Sequence, residues 1–221
     1  MVALAAAVSA AGALYVATLP GVGDAWARVE QILDVHHGAY SGRIPPVKLA
    51  KAVVSVEDEH FYSNFVINIA DGAGRAALAA LQTNQDPGGS TIAQQLAKQL
   101  YGHGNGLSAT LQAIGLGVKL SLDYSQAQIL NMYLNAVYYG HGYWGDLAAA
   151  RGYFDTTPAR LDWAQAAMLA GLPQAPSELD PLRHYGLAKL RQRHVLNQLV
   201  VNHYLTRAEA DAAYAQPLGL R

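Results

Sequence analysis

Gly88-Gly89-Ser90-Thr91-Ile92-Ala93-Gln94-Gln95-Leu96-Ala97-Lys98 reads as a loop breaking into a helix. Two glycines supply the turn, and Ser90 or Thr91 supplies an oxygen that can accept a hydrogen bond from a free N–H of the first helical turn. The N-terminus of a helix carries partial positive charge and unpaired donors, so it suits a phosphate or diphosphate. Gln94 and Lys98 are four apart and share a helix face, which would present an amide and a cation to such a group. Residue types alone support equally a capped helix with a solvated lysine.

Around this run the chain reads as helical throughout. It has 221 residues, enough for one sizeable domain or a domain with an anchor. Alanine and leucine dominate, and sustained alternation of polar and apolar residues is scarce, so a mainly α fold is expected. A net charge of −1 gives no electrostatic case for nucleic acid. There are no cysteines, which excludes disulfides and thiolate metal sites. His36 and His37 are adjacent, but neighbours do not face one way on a helix and no carboxylate sits at ligand spacing, so no metal site is expected there.

Residues 1–23 carry no charged side chain, and Met1 to Leu19 has about the length that crosses a bilayer. The stretch reads as an apolar N-terminal helix acting as a membrane anchor. A cleaved signal and a buried helix are the alternatives, and no basic residue precedes the stretch as a signal would have it. Residues 24–44 read as a helix to Val35 and then a linker, and 45–221 as the main domain. Within it, helices are expected from Val47 to about His60, over 73–83, from Ser90 or Thr91, over 108–122 and 125–134, then 146–153, 161–170 from a cap at Thr157-Pro158, 183–203 and 206–215. Thr206-Arg207-Ala208-Glu209 fits a capping box. Asn135 to Gly145 reads as an aromatic loop, in which Tyr143 and Trp144 would either stack on sugar or form a small core.

Four stretches in order carry a family resemblance. Ala52 to Tyr62 holds Glu57-Asp58-Glu59-His60-Phe61; Gly88 to Lys98 is the second. Ile129-Leu130-Asn131-Met132-Tyr133-Leu134-Asn135 continues through Tyr139-Gly140 to Gly145, and Ala166 to Ser177 leads on to Asp180-Pro181. Together they resemble the family 51 glycosyltransferases, the peptidoglycan transglycosylases of bifunctional penicillin-binding proteins and their single-domain relatives. The resemblance implies a two-lobed, lysozyme-like helical domain with a cleft. It implies an enzyme of the extracytoplasmic space or periplasm, held at the cytoplasmic membrane by one N-terminal anchor, that polymerises lipid II into β-1,4 glycan with release of a polyprenyl diphosphate. Its partners would be lipid II, the nascent glycan strand, the membrane and a separate transpeptidase, since no Ser-x-x-Lys of the penicillin-binding kind occurs in this chain.

By resemblance, Glu57 would take the proton of the acceptor 4-hydroxyl; an exposed helical glutamate is the alternative. Asp58, Ser90, Thr91, Gln94, Gln95 and Lys98 would line the substrate, with Lys98 facing the leaving diphosphate. Arg75 matches an arginine that follows the first motif and would contact phosphate, or would be a surface helix residue. Asn135 would orient by hydrogen bonding, and Tyr133 reads as packing. No tightly bound cofactor is implied; a divalent Mg or Mn ion would assist the diphosphate.

Departures from the family pattern are specific. Asn64 and Val66 stand where the first motif continues to His and Gly, and Gln99 follows Lys98 in place of Asn. The third motif, Arg-Lys-x-x-Glu, falls on Ala109-Thr110-Leu111-Gln112-Ala113, where none of its charges survives. Lys119 is about a turn and two-thirds further along, a poor substitute. Gln165 replaces a Glu of the last motif. These losses keep two other functions open: a non-catalytic membrane-tethered module that binds lipid II or the cell wall, and a lysozyme-like glycan hydrolase. The diphosphate-type second motif argues against the hydrolase, which has no diphosphate to hold.

Overall fold

The computed structural model describes residues 12–62, 90–102 and 106–221. Arg75, Asn64, Val66 and the helix expected over 73–83 lie outside these residues, as do residues 1–11 of the expected anchor. The described chain is mainly helical. Its helices are α1 (Ala25–Val35), α2 (Val47–Glu57), α3 (Ile92–Tyr101), α4 (Leu107–Asp123), α5 (Gln126–Ala136), α6 (Asp146–Phe154), α7 (Trp163–Gly171), α8 (Tyr185–Val201) and α9 (Arg207–Ala215). A short helical stretch over 12–18 precedes them. Among the described residues one isolated bridge, Tyr138 with Trp144, is the β pairing found.

The helices gather into two groups. Helices α1, α3, α4 and α5 pack together, and α2, α7, α8 and α9 pack together, with α6 lying between α5 and α7. One hydrophobic core runs through both. Its pattern is legible in α3, which buries Ile92, Ala93, Leu96, Ala97, Leu100 and Tyr101 and exposes Lys98 and Gln99. That is the i, i+4 stripe of an amphipathic helix. Gly117 lets α4 lie close against α3, because a Cβ there would meet the Gln94 backbone at 3.1 Å.

Caps set several boundaries. Thr91, Ser125, Asp162 and Thr206 each accept a hydrogen bond from the N–H three residues on, and each forms a full capping box. Two expected boundaries shift. Helix α2 ends at Glu57, three residues short of His60, because Asp58 leaves helical dihedrals and turns its carboxylate to the Ile92 N–H at the start of α3, 3.1 Å away. Helix α7 begins at Trp163 under an Asp162 cap; Thr157-Pro158 opens a separate 3-10 turn, Pro158–Arg160. Gln165 completes the Asp162 cap and donates to the Leu218 carbonyl at 3.2 Å, so the residue in the motif's Glu position is structural here.

The N-terminal stretch lies along α4. Gly115 makes room for Leu19, and Lys119 Nζ donates to the carbonyls of Leu19 and Pro20. Lys119 is thereby committed to that segment. Among the described residues no helix is long and apolar enough to cross a membrane.

Candidate active site

The two helical groups meet where α2 ends and α3 begins, and Glu57 stands at that junction. Gln95 Nε2 donates to Glu57 Oε2 at 3.0 Å and to the Ser90 carbonyl at 3.2 Å. The Tyr133 hydroxyl donates to Gln95 Oε1 at 3.0 Å. Each end of the Gln95 amide is therefore used, with its N–H toward the carboxylate and its oxygen toward the phenol. Tyr133 is wholly buried, and burial first, then the Glu57 charge, push its hydroxyl well above the usual phenol range. It stays a neutral donor, which keeps Gln95 in this orientation.

On its other side Glu57 faces Arg191 of α8. Arg191 Nη2 lies 3.6 Å from Glu57 Oε1, an ion pair longer than a hydrogen bond, and both side chains are largely buried. Glu57 Oε1 has no hydrogen-bond partner. The carboxylate thus has one oxygen held by an amide and one buried beside a cation without a hydrogen bond. A carboxylate is the kind of group that takes a proton from a hydroxyl.

Of the residues expected at the site, the structure brings together Glu57, Asp58, Ser90, Thr91 and Gln95. Their roles differ in kind. Asp58 holds the first N–H of α3 and Thr91 caps it, so the chain itself occupies donors at that N-terminus. Ser90 contributes its carbonyl to Gln95. Gln94 is drawn into the cap, its Oε1 accepting from the Thr91 N–H at 3.2 Å, with its other side against Gly117. Lys98 is exposed further along α3.

Asn135 lies apart from this cluster and is fully buried. Its Oδ1 accepts from the Ser41 N–H and hydroxyl, at 3.0 and 3.2 Å, and its Nδ2 donates to Asn131. Asn131 donates in turn to the Gly42 carbonyl at 2.9 Å. The pair orients the segment after α1 against α5. Tyr143 meets the buried Tyr153 ring edge-on at 4.9 Å and packs on the core, whereas Trp144, half-buried, stacks on the exposed His36 at 4.1 Å between ring centroids. The segment 109–113 carries no charge and forms the first turns of α4.

Two members of the Glu57 cluster escape the sequence reading. Tyr133 reads as packing because it falls in an unbroken buried run of α5. Arg191 lies beyond the four motif stretches, in a helix that also carries Lys189 and Arg193. The signal that separates it is periodicity. Lys189 and Arg193 are four apart and share a face, where both sit over the Tyr214 ring, whereas Arg191 lies midway and points the other way.

Residues 33–200 match the family described as Transglycosylase. The chain is 35% identical over 177 residues to Penicillin-binding protein 1F of Bacillus subtilis, covering 79% of this chain and 25% of that protein. It is 36% identical over 181 residues to a Cupriavidus necator protein named "Putative transglycosylase", covering 81% and 78% respectively. To Penicillin-binding protein 1A of Neisseria gonorrhoeae it is 34% identical over 175 residues, covering 78% and 22%. A crystal structure of Penicillin-Binding Protein 1A from Haemophilus influenzae aligns over 45% of this chain and 15% of that one, with a TM-score of 0.42 and 34% identity. The chain spans about a quarter of the length of its Bacillus relative and most of the Cupriavidus one. With three quarters of its length matched in one continuous block that includes Glu57, Gln95, Tyr133 and Arg191, this chain belongs to the transglycosylase family.

Proposed function

We propose that this protein is a peptidoglycan glycosyltransferase that polymerises lipid II, with Glu57 as the base. The observation that carries the reading is the Glu57 carboxylate at the junction of the two helical groups, held through Oε2 by Gln95 and ion-paired through Oε1 with Arg191. Glu57 takes the proton of the acceptor 4-hydroxyl as the new bond forms at the donor anomeric carbon. The bond from that carbon to the diphosphate breaks, giving a β-1,4 linkage with inversion and releasing the polyprenyl diphosphate. The family membership supports a lysozyme-like, two-lobed arrangement with the substrate between the groups. It supports equally a place at the extracytoplasmic face of the cytoplasmic membrane, with a transpeptidase activity cross-linking the product. Lys98, Arg75, Ser90 and Thr91 are the residues we assign to the diphosphate end. A divalent Mg or Mn ion would assist the leaving diphosphate.

The second reading is a tethered module that binds lipid II without polymerising it. The neutral 109–113 segment favours it, because losing a transition-state donor costs ~10²–10³ in rate. Incubating purified protein with fluorescent lipid II and a divalent cation, beside Glu57→Gln, separates the two. Polymer from the wild type and none from the variant is the expected result. Equal polymer from both removes Glu57 from the reaction, and lipid II binding without polymer from either establishes the binding module. Release of soluble fragments from purified sacculi would instead indicate a hydrolase.

A further inference from the structure

We propose that Arg191, seated by Gly171, is the positioning residue that fixes the orientation and charge environment of the Glu57 carboxylate. The inference deepens the reading of Glu57 as the base and rests on it.

Glu57 is gripped from two sides. Gln95 holds Oε2 from α3, and the Arg191 guanidinium stands 3.6 Å from Oε1 from α8. Among the described residues, the groups that face the carboxylate directly or through one hydrogen bond are the neutral Gln95 amide from α3, the Tyr133 hydroxyl behind it from α5, and Arg191 from α8, the cation of the set. Burial pulls its pKa down and the Glu57 charge pushes back, while His194, a turn further along α8, is lowered by burial and then by Arg191. An ion in a largely desolvated setting is stabilised by an opposite charge and penalised without one, so these two side chains depend on each other.

Gly171 explains why the guanidinium sits where it does. Arg191 Nε donates to the Gly171 carbonyl at 3.3 Å. That carbonyl belongs to the last residue of α7, where helix carbonyls lack intrahelical partners and carry partial negative charge. A Cβ on Gly171 would lie 2.7 Å from Arg191 Cγ. The backbone of Gly171, at φ −80° and ψ −20°, suits any residue. The glycine is therefore needed for space, and the space is filled by the Arg191 stem. Gly171 lies in the fourth motif stretch, Arg191 outside all four; packing joins them.

The geometry provides a variant that moves the cation without deleting it. Steady-state rates with fluorescent lipid II would be measured on the full chain for Arg191→Met, Arg191→Lys and Gly171→Ala, with thermal unfolding of each. The expected result is a fall in kcat of about tenfold or more for Arg191→Met, with KM within about twofold, since a misplaced reacting group costs turnover. Arg191→Lys recovers part of the loss, and Gly171→Ala lowers kcat although the charge is retained. Wild-type kcat in Arg191→Met overturns the proposal, as does a loss confined to KM, which would make Arg191 a substrate-binding cation. A readout independent of turnover is the carbon-13 resonance of the Glu57 carboxyl at fixed pH, assigned with Glu57→Gln. It should move in both Arg191→Met and Gly171→Ala; an unmoved signal overturns the proposal. A moved signal in a protein that makes no polymer leaves the positioning role standing and removes the proposed function.

Discussion

Asp146 is fully buried at the first position of α6. The Ser41 hydroxyl and the N–H groups at the start of α6 favour its charge, but burial dominates and lifts its pKa from 3.8 to about 7. The folded chain keeps the proton where the unfolded chain releases it, so stability falls as pH rises from about 4 to about 7 and is level beyond. Across that window the loss is at most ~4 kcal/mol. Urea unfolding of wild type and Asp146→Asn at a series of pH values should show the wild-type curve falling relative to the variant; parallel curves would dismiss the effect. At this scale the sequence was least informative about partners. The motif singles out Glu57, but which of Gln94 and Gln95 touches it depends on which side of α3 meets α2, and adjacent residues on a helix diverge by about 100°. Asn135 reads as a hydrogen-bonder and is one, yet its partners are Ser41 and Asn131, in a buried network that no local spacing announces.

Helix starts were far more legible than helix ends. A cap is written in four consecutive residues: Thr206 to Glu209 forms the box its spelling predicts, and of Ser90 and Thr91 it is Thr91 that caps α3, in a box with Gln94. The end of α2 was not legible, because it is set by Asp58 reaching an amide far along the chain. Competition between signals explains α7, whose Asp162 cap prevails over the Thr157-Pro158 signal that starts only a short turn. Helix α3 is anchored at its start by Asp58 and Thr91 together, and Gln95 projects from its first turns toward Glu57. Thr91→Ala should therefore cost about 1 kcal/mol in chemical denaturation, with Thr91→Ser close to wild type. A Thr91→Ala variant as stable as wild type would mean that Asp58 alone suffices to start the helix.

At the scale of the whole molecule, the family match stops at residue 200, yet the core draws on side chains beyond that point. Leu205, Ala210, Ala213 and Leu218 all belong to it. The tail after α9 crosses back over the group that carries Glu57. The Leu218 carbonyl accepts from Gln165 of α7, Gln216 donates to Asp162 at 2.7 Å, and the Arg221 N–H reaches the Tyr153 carbonyl of α6 at 3.1 Å. A mainly α fold was predictable from composition, but this closure was not, since Pro217-Leu218-Gly219 reads locally as a loop and only burial of Leu218, 3% exposed, reveals its weight. The tail holds α6 and α7 together, and α7 carries the Gly171 seat for Arg191. Leu218→Ala leaves every hydrogen-bonding backbone group in place and removes only the buried side chain, at a cost of roughly 2–5 kcal/mol. For a chain of this size each kcal/mol lowers Tm by roughly 2–4 °C, so scanning calorimetry should record a fall of several degrees. An unchanged Tm would show that the tail packs on a domain already complete without it.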